Sequence, residues 1–484
     1  MTQVSTGSAD PPEAIRAAGG PRTYGPLERP APNGPIERVM STVIRKLSWS
    51  RLSHPKVAVT VSGLGLLLSM LVGATAPNVE TLNIKLPLSY LLPSLSNNGT
   101  LATALLYTGN VLACLGLAGM LWAHSQGWRP DPRRLLLASS VIVALMVCLT
   151  PVGSSDVASY AAYGRIASLG GNPYLTSPQH FLGPHSAYTM VVGAVWKNQG
   201  SVYGPVATVL QSLGAWIGGP NAAATIWVLM ILNGMVFIGV GYLLLRTSDD
   251  PVRATLFWVA NPVILQQLVS GGQLDTYVAA GAICAIQVAR RYSGLWGDFL
   301  VGVVIGISCG IKISAALVGL GLAVPLLLRR DWLRVARMTL VALAVFAVQY
   351  SFYGLNALKA TFVGLKWVTM PSPWRLFQLA GQGLGVSQNT MTTVIGVLWP
   401  IALLLLAWVI YRRISSDQPR EIVAPFALTF AWVLVAPWVF AWYTAIAWAT
   451  LTLVPRNRMT RWLTIVTVFL AIWLSNGGQS APGR

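Results

Sequence analysis

Charge is what this chain lacks most. Only 10% of its 484 residues are Asp, Glu, Lys or Arg, where a soluble protein carries about a quarter. A water-soluble globular fold is excluded on that ground. Acids are scarcer still, 14 against 33 basic residues. Cysteine is rare too: Cys114, Cys148, Cys284 and Cys309 all lie in apolar runs. No C-x-x-C pair is present, which excludes a disulfide framework or zinc ribbon. The four histidines (His54, His124, His180, His185) are scattered and no H-E-x-x-H occurs, so a protein-built metal site is not expected. Neither a Walker A loop nor a dinucleotide glycine fingerprint is found, and no internal repeat is visible.

What the chain has instead is apolar length. Hydrophobic residues make up 54% of it, mean hydropathy is +0.60, and long apolar runs recur from Val57 to Ser475. The pattern predicts an all-α polytopic membrane protein with about 13 transmembrane helices over 57–475. Expected spans include 135–152, 253–269, 274–289, 297–311 and 313–328. Residues 205–218 are short for a hydrocarbon core of roughly 30 Å and are read as a re-entrant half-helix. Residues 1–35, rich in Pro, Gly and Ala, read as a disordered cytoplasmic tail. Apolar residues at helical spacing among Arg and Lys over 36–52 suggest an interfacial amphipathic helix, with a merely basic linker as the alternative. Residues 476–484 form a short outer tail.

The net charge of +19 does not indicate nucleic acid, because the basic residues sit in short clusters between apolar runs, where topology is written. Of the 33 Lys and Arg, 25 fall on segments assigned to the cytoplasm, seven outside, and Lys312 lies inside an apolar run. The N-terminus is therefore expected in the cytoplasm and the C-terminus outside a plasma membrane.

Sorting the acids the same way leaves only Glu80, Asp156 and Asp275 at the outer face. Asp156 follows a Gly-Ser-Ser turn at the end of a span and opens an amphipathic segment with Tyr160, Tyr163 and Arg165. It either caps that helix or does chemistry; Ser154 and Ser155 could cap equally well, which favours chemistry. Asp275 ends a Gly271-Gly272-Gln273-Leu274 turn and is either functional, a helix cap or a solvated turn residue. Lys312 divides the apolar stretch 299–328. A lysine near the bilayer centre costs roughly 2.5–3.5 kcal/mol, so two short helices meeting there, with Lys312 facing a lipid phosphate or a carboxylate, are expected; snorkelling is the alternative. Replacing Lys312 with Met should then ease insertion. Arg375 and the Pro437-Trp438 pair lie in further outer segments, where tryptophans anchor to the interface or stack on sugars.

Taken in order, Asp156-Val-Ala-Ser-Tyr-Ala-Ala-Tyr-Gly164, Tyr203-Gly204-Pro205, Asn261-Pro262, the Gly-rich turn ending in Asp275, Lys312 and Pro437-Trp438 make the chain resemble the GT-C class of membrane glycosyltransferases. Within that class it resembles the actinobacterial polyprenyl-phosphomannose-dependent α-(1→6)-mannosyltransferases of lipomannan assembly. The family turn reads Gly-x-His-Asn-Asp, against Gly-Gly-Gln-Leu-Asp here, and its aromatic motif Pro-Trp-Tyr, against Pro437-Trp438-Val439. The resemblance implies inverting transfer from a polyprenyl-phosphate mannose to a mannan or glycolipid acceptor of the cell envelope. It implies Asp156 as catalytic base, with Asp275, Lys312, Arg165, Arg375, Tyr160 and Trp438 binding substrate. No nucleic-acid partner and no metal ligand are expected, and dependence on a divalent cation is left open. A lipid or sugar transporter or flippase is the alternative from another class.

Overall fold

The computed structural model describes residues 54–361, 367–414 and 419–473. The expected cytoplasmic tail, interfacial helix and outer tail lie outside the described residues. Among the described residues, regular structure is helical apart from one isolated bridge between Thr81 and Val152.

Among the described residues, five helices are long and apolar enough to cross a membrane: Pro55–Ala74, Gly99–Ser125, Ala222–Thr247, Trp332–Ser351 and Gln388–Arg413. At 1.5 Å per residue, their 20 to 27 residues reach about 30–40 Å. The other expected crossings correspond to shorter helices, such as Pro132–Met146, Asp275–Arg291, Gly294–Cys309 and Arg420–Val435. One of them, 253–269, is broken. The chain leaves helix geometry at Trp258, Asn261 caps a new turn through Val263 and Ile264 N–H, and Pro262 stands at its first position. Proline has no N–H to continue a helix and suits this position. A π-turn over Gln266–Ser270 follows. The sequence hides this break because all three pieces are apolar.

Small residues let helices approach closely, as packing within a bilayer requires. The Pro55–Ala74 and Gly99–Ser125 helices meet at Gly65, Gly109 and Ala113, where a Cβ on Gly65 would stand 2.6 Å from the Ala113 nitrogen. Buried charge is also matched. Asp298, fully buried, accepts from Arg334 at 2.8 Å and sits 2.8 Å from Arg337.

Four tight junctions position the site. The Asp156–Ser168 helix is buried along most of its length and lies against the Pro205–Gly218 helix, with Gly164 facing the Gln211 carbonyl. Gly204 N–H donates to Ile311 O at 3.1 Å and Val206 N–H to Gly310 O at 2.8 Å. Those bonds tie the Tyr203-Gly204-Pro205 turn to the break where Lys312 stands. Gly272, at φ +63°, turns the chain against Val157 and Met230. That left-handed conformation carries no Cβ penalty in glycine.

Candidate active site

Asp156 and Asp275 both open helices. Asp156 is the first residue of its helix and Asp275 the first of Asp275–Arg291, where the helix dipole favours a carboxylate. Neither carboxylate caps its helix: no side-chain cap bond forms at either N-terminus. At Asp156 a bond runs the other way, its N–H donating to Ser154 Oγ at 3.2 Å.

Asp275 is not a solvated turn residue. It is 0% exposed, and Lys312 Nζ donates to its Oδ2 at 2.7 Å. Its second oxygen, Oδ1, is buried with no partner. Lys312 stands at the break between Gly294–Cys309 and the Ile313–Leu328 segment, and its ammonium lies 4.4 Å from the Tyr443 ring centroid. It therefore faces a carboxylate and an aromatic face rather than snorkelling.

Asp156 lies beside this pair, outside the spanning segments. Burial pushes its carboxyl up to about 6, opposed by Lys312 and the Gln273 amide, raised further by Asp275, and opposed by Ser154. A carboxylate of that affinity is ionised at neutral pH yet basic enough to take a proton, the requirement for a general base. Tyr160 O–H donates to Gln273 Oε1 at 3.2 Å and its ring meets Tyr203 edge-on at 4.9 Å. Asn233 holds the Gln273 carbonyl at 2.6 Å.

The structure thus gathers Asp156, Tyr160, Asp275 and Lys312 from three chain segments. It does not bring Arg165 to them. Nine residues along a helix from Asp156 is about 13 Å, and the Arg165 guanidinium lies over Tyr188. Arg375 bonds Gln378 at 3.1 Å, with its Nε buried and unpartnered. Trp438 belongs to a line of rings: Trp196, Trp367, Trp438, Phe440 and Tyr443 follow one another at 4.8 to 5.8 Å. Hydrogen bonds from the 369–374 segment to carbonyls of 435–439 hold that line together.

Sequence reasoning missed Gln273, Tyr203 and Tyr443 as parts of the cluster. For Gln273 the signal was present, since it stands where the family turn has a polar residue two before the aspartate. For Tyr443 nothing in the sequence says that the last aromatic turn folds back over Lys312. Among the described residues, no group of three His, Cys, Asp or Glu could hold a metal.

The site thus sets a buried ion pair beside a raised carboxylate within a helical membrane bundle. The comparisons give the family: the chain belongs to the alpha-(1->6)-mannopyranosyltransferases, whose N-terminal domain matches residues 29–329. It is 25% identical over 383 residues to alpha-(1->6)-mannopyranosyltransferase A of Mycobacterium tuberculosis, covering 72% of this chain and 71% of that one. It is 26% identical over 273 residues to alpha-(1->6)-mannopyranosyltransferase B of Corynebacterium glutamicum, covering 53% of this chain and 44% of that one. No solved structure matches.

Proposed function

We propose that this chain transfers mannose, with inversion, from a polyprenyl-phosphate mannose to a hydroxyl of a mannan or glycolipid acceptor at the outer face of the membrane. The observation that carries the reading is the placement of Asp156 beside the Lys312–Asp275 pair. Family membership supports mannosyl transfer, and the absence of any nucleotide-binding motif supports a lipid-linked donor. A GT-C-like fold with about 13 crossings and a re-entrant 205–218 helix belongs to the same proposal.

In this mechanism Asp156 accepts the proton of the acceptor hydroxyl as the oxygen attacks the anomeric carbon. The new C–O bond forms on one face while the bond to the phosphate oxygen breaks on the other. The leaving polyprenyl phosphate carries the negative charge away, and Lys312 offsets it. Asp275 holds the lysine toward the site, and Gln273 and Tyr160 orient Asp156. A positioned base contributes about 10²–10⁴-fold, and a fixed cation beside developing charge costs no reorganisation during reaction. Trp438 and its neighbours bind sugar rings, while Arg165 and Arg375 meet the acceptor.

The test is purified protein in detergent with an α-mannan oligosaccharide acceptor. Polyprenyl-phosphate mannose should be consumed and extend the acceptor through a 1→6 linkage, and nucleotide-linked mannose should not. Turnover with the nucleotide donor alone would overturn the reading. A transporter or flippase, which needs two compartments, would turn over neither in detergent.

A further inference from the structure

The end of the bundle opposite Lys312 holds a second charged cluster that the transfer reaction does not use. The helices Asp275–Arg291 and Thr444–Leu453 start at the site, and both lead away from it to that end. There, among the described residues, Arg129, Arg253 and Arg456 gather around His124 and a single carboxylate, Asp250. Arg456 Nη2 lies 3.6 Å from Asp250 Oδ2 and 3.4 Å from His124 Nε2. Arg129 Nη1 lies 2.8 Å from His124 Nδ1 and donates to the carbonyls of His124 and Trp128 at 3.0 and 3.1 Å. Arg253 Nη1 donates to the carbonyls of Thr452 and Val454 at 3.4 and 2.6 Å.

Donors outnumber acceptors here. Three guanidiniums share one carboxylate, whose Oδ1 already accepts from the Arg253 backbone N–H. A neutral imidazole offers one acceptor nitrogen, yet both ring nitrogens face a guanidinium. Each arginine makes these side-chain hydrogen bonds and ion pairs through one terminal nitrogen, which leaves fork nitrogens open among the described residues, although the Arg253 guanidinium also lies over the Phe257 ring at 4.4 Å. Arg253 is 3% exposed and its Nη2 is buried with no partner. A fork of this kind matches the paired oxygens of a phosphate, and the two uncompensated positive charges match its charge.

We infer that this cluster is a binding site for a phosphate-bearing anion, a phospholipid headgroup or free phosphate, bridging Arg129 and Arg456 above the buried Arg253. The anion would fasten together the ends of Gly99–Ser125, Pro251–Phe257 and the turn after Thr444–Leu453, stabilising the bundle far from the transfer chemistry.

The experiment is thermal unfolding of delipidated full-length protein in neutral detergent. One arm adds phosphatidylglycerol against phosphatidylcholine; the other adds inorganic phosphate against chloride at equal ionic strength. The inference expects a rise in Tm of several degrees in at least one arm, with an apparent affinity at least tenfold weaker in Arg129→Gln/Arg456→Gln. A response to phosphatidylglycerol alone assigns a lipid headgroup; a response to phosphate assigns the free anion. Arg129→Lys/Arg456→Lys, which keeps the charges and loses the forks, should fall between. If the double Gln variant does not fold, the exposed Arg129→Gln alone reports the loss. No Tm response in either arm, or equal responses in wild type and variants, overturns the site.

Discussion

Replacing a lysine inside an apolar stretch with methionine should, on sequence grounds, ease insertion. The 2.7 Å contact with Asp275 reverses that expectation, because Lys312→Met leaves a fully buried carboxylate without its partner. Breaking a buried pair on one side costs about 3–5 kcal/mol. Lys312→Met should therefore lower the unfolding temperature sharply, while Lys312→Met/Asp275→Asn should recover much of the stability without recovering transfer. Denaturation and turnover of both variants test this; a stable, active Lys312→Met protein contradicts it. Asp156 predicts a pH dependence. Its carboxyl is raised to about 6 by burial, and a base works only when deprotonated. Turnover should hold above pH 6 and fall about tenfold per unit below it. The sign for stability is opposite: a carboxyl raised on folding favours the folded state as pH falls from 6 toward 4, so lost activity there is not unfolding. A rate flat from pH 7 to 5 would contradict the assignment.

Elements were legible where the apolar run was long and obscure where it was cut. The Pro205–Gly218 helix stands at its expected bounds, since Gly204-Pro205 and Gly218-Gly219 punctuate it. The break at 258–262 was not seen, because Trp258, Val259 and Ala260 read as membrane core. Gly272 shows what a turn contributes to the site. A Cβ there would stand 2.8 Å from Met230 Sδ and 3.1 Å from Val157 Cβ, at a backbone φ of +63°. Gly272→Ala should cost about 1–2 kcal/mol in backbone conformation and shift Gln273 and Asp275 away from the Asp156 helix. Turnover should fall by more than the loss of stability accounts for, as measured by kcat at a temperature where the variant is fully folded. An unchanged kcat would show that the turn does not position the pair.

At the scale of the whole molecule, sequence sorted the charged residues onto two sides, and the folded chain places Asp156, Asp275 and Lys312 at one end of the bundle. A membrane forbids stray charge, which makes each charge informative. Sorting did not separate Arg165 from the cluster, because distance along a helix is not visible in charge patterning. The same sorting predicts an outer C-terminus: a phosphatase fused there should be active and a cytoplasm-only reporter silent, and the reverse would mean a crossing was miscounted. The central claim, lipid-linked mannosyl transfer with Asp156 as base, meets its most direct test in Asp156→Asn. Asparagine keeps the size of the side chain and removes a desolvated charge, so the variant should unfold at or above the wild-type temperature at pH 7. With polyprenyl-phosphate mannose and a mannan acceptor, its kcat should fall at least 10²-fold with donor binding retained; a folded Asp156→Asn protein with near-normal kcat would contradict the account.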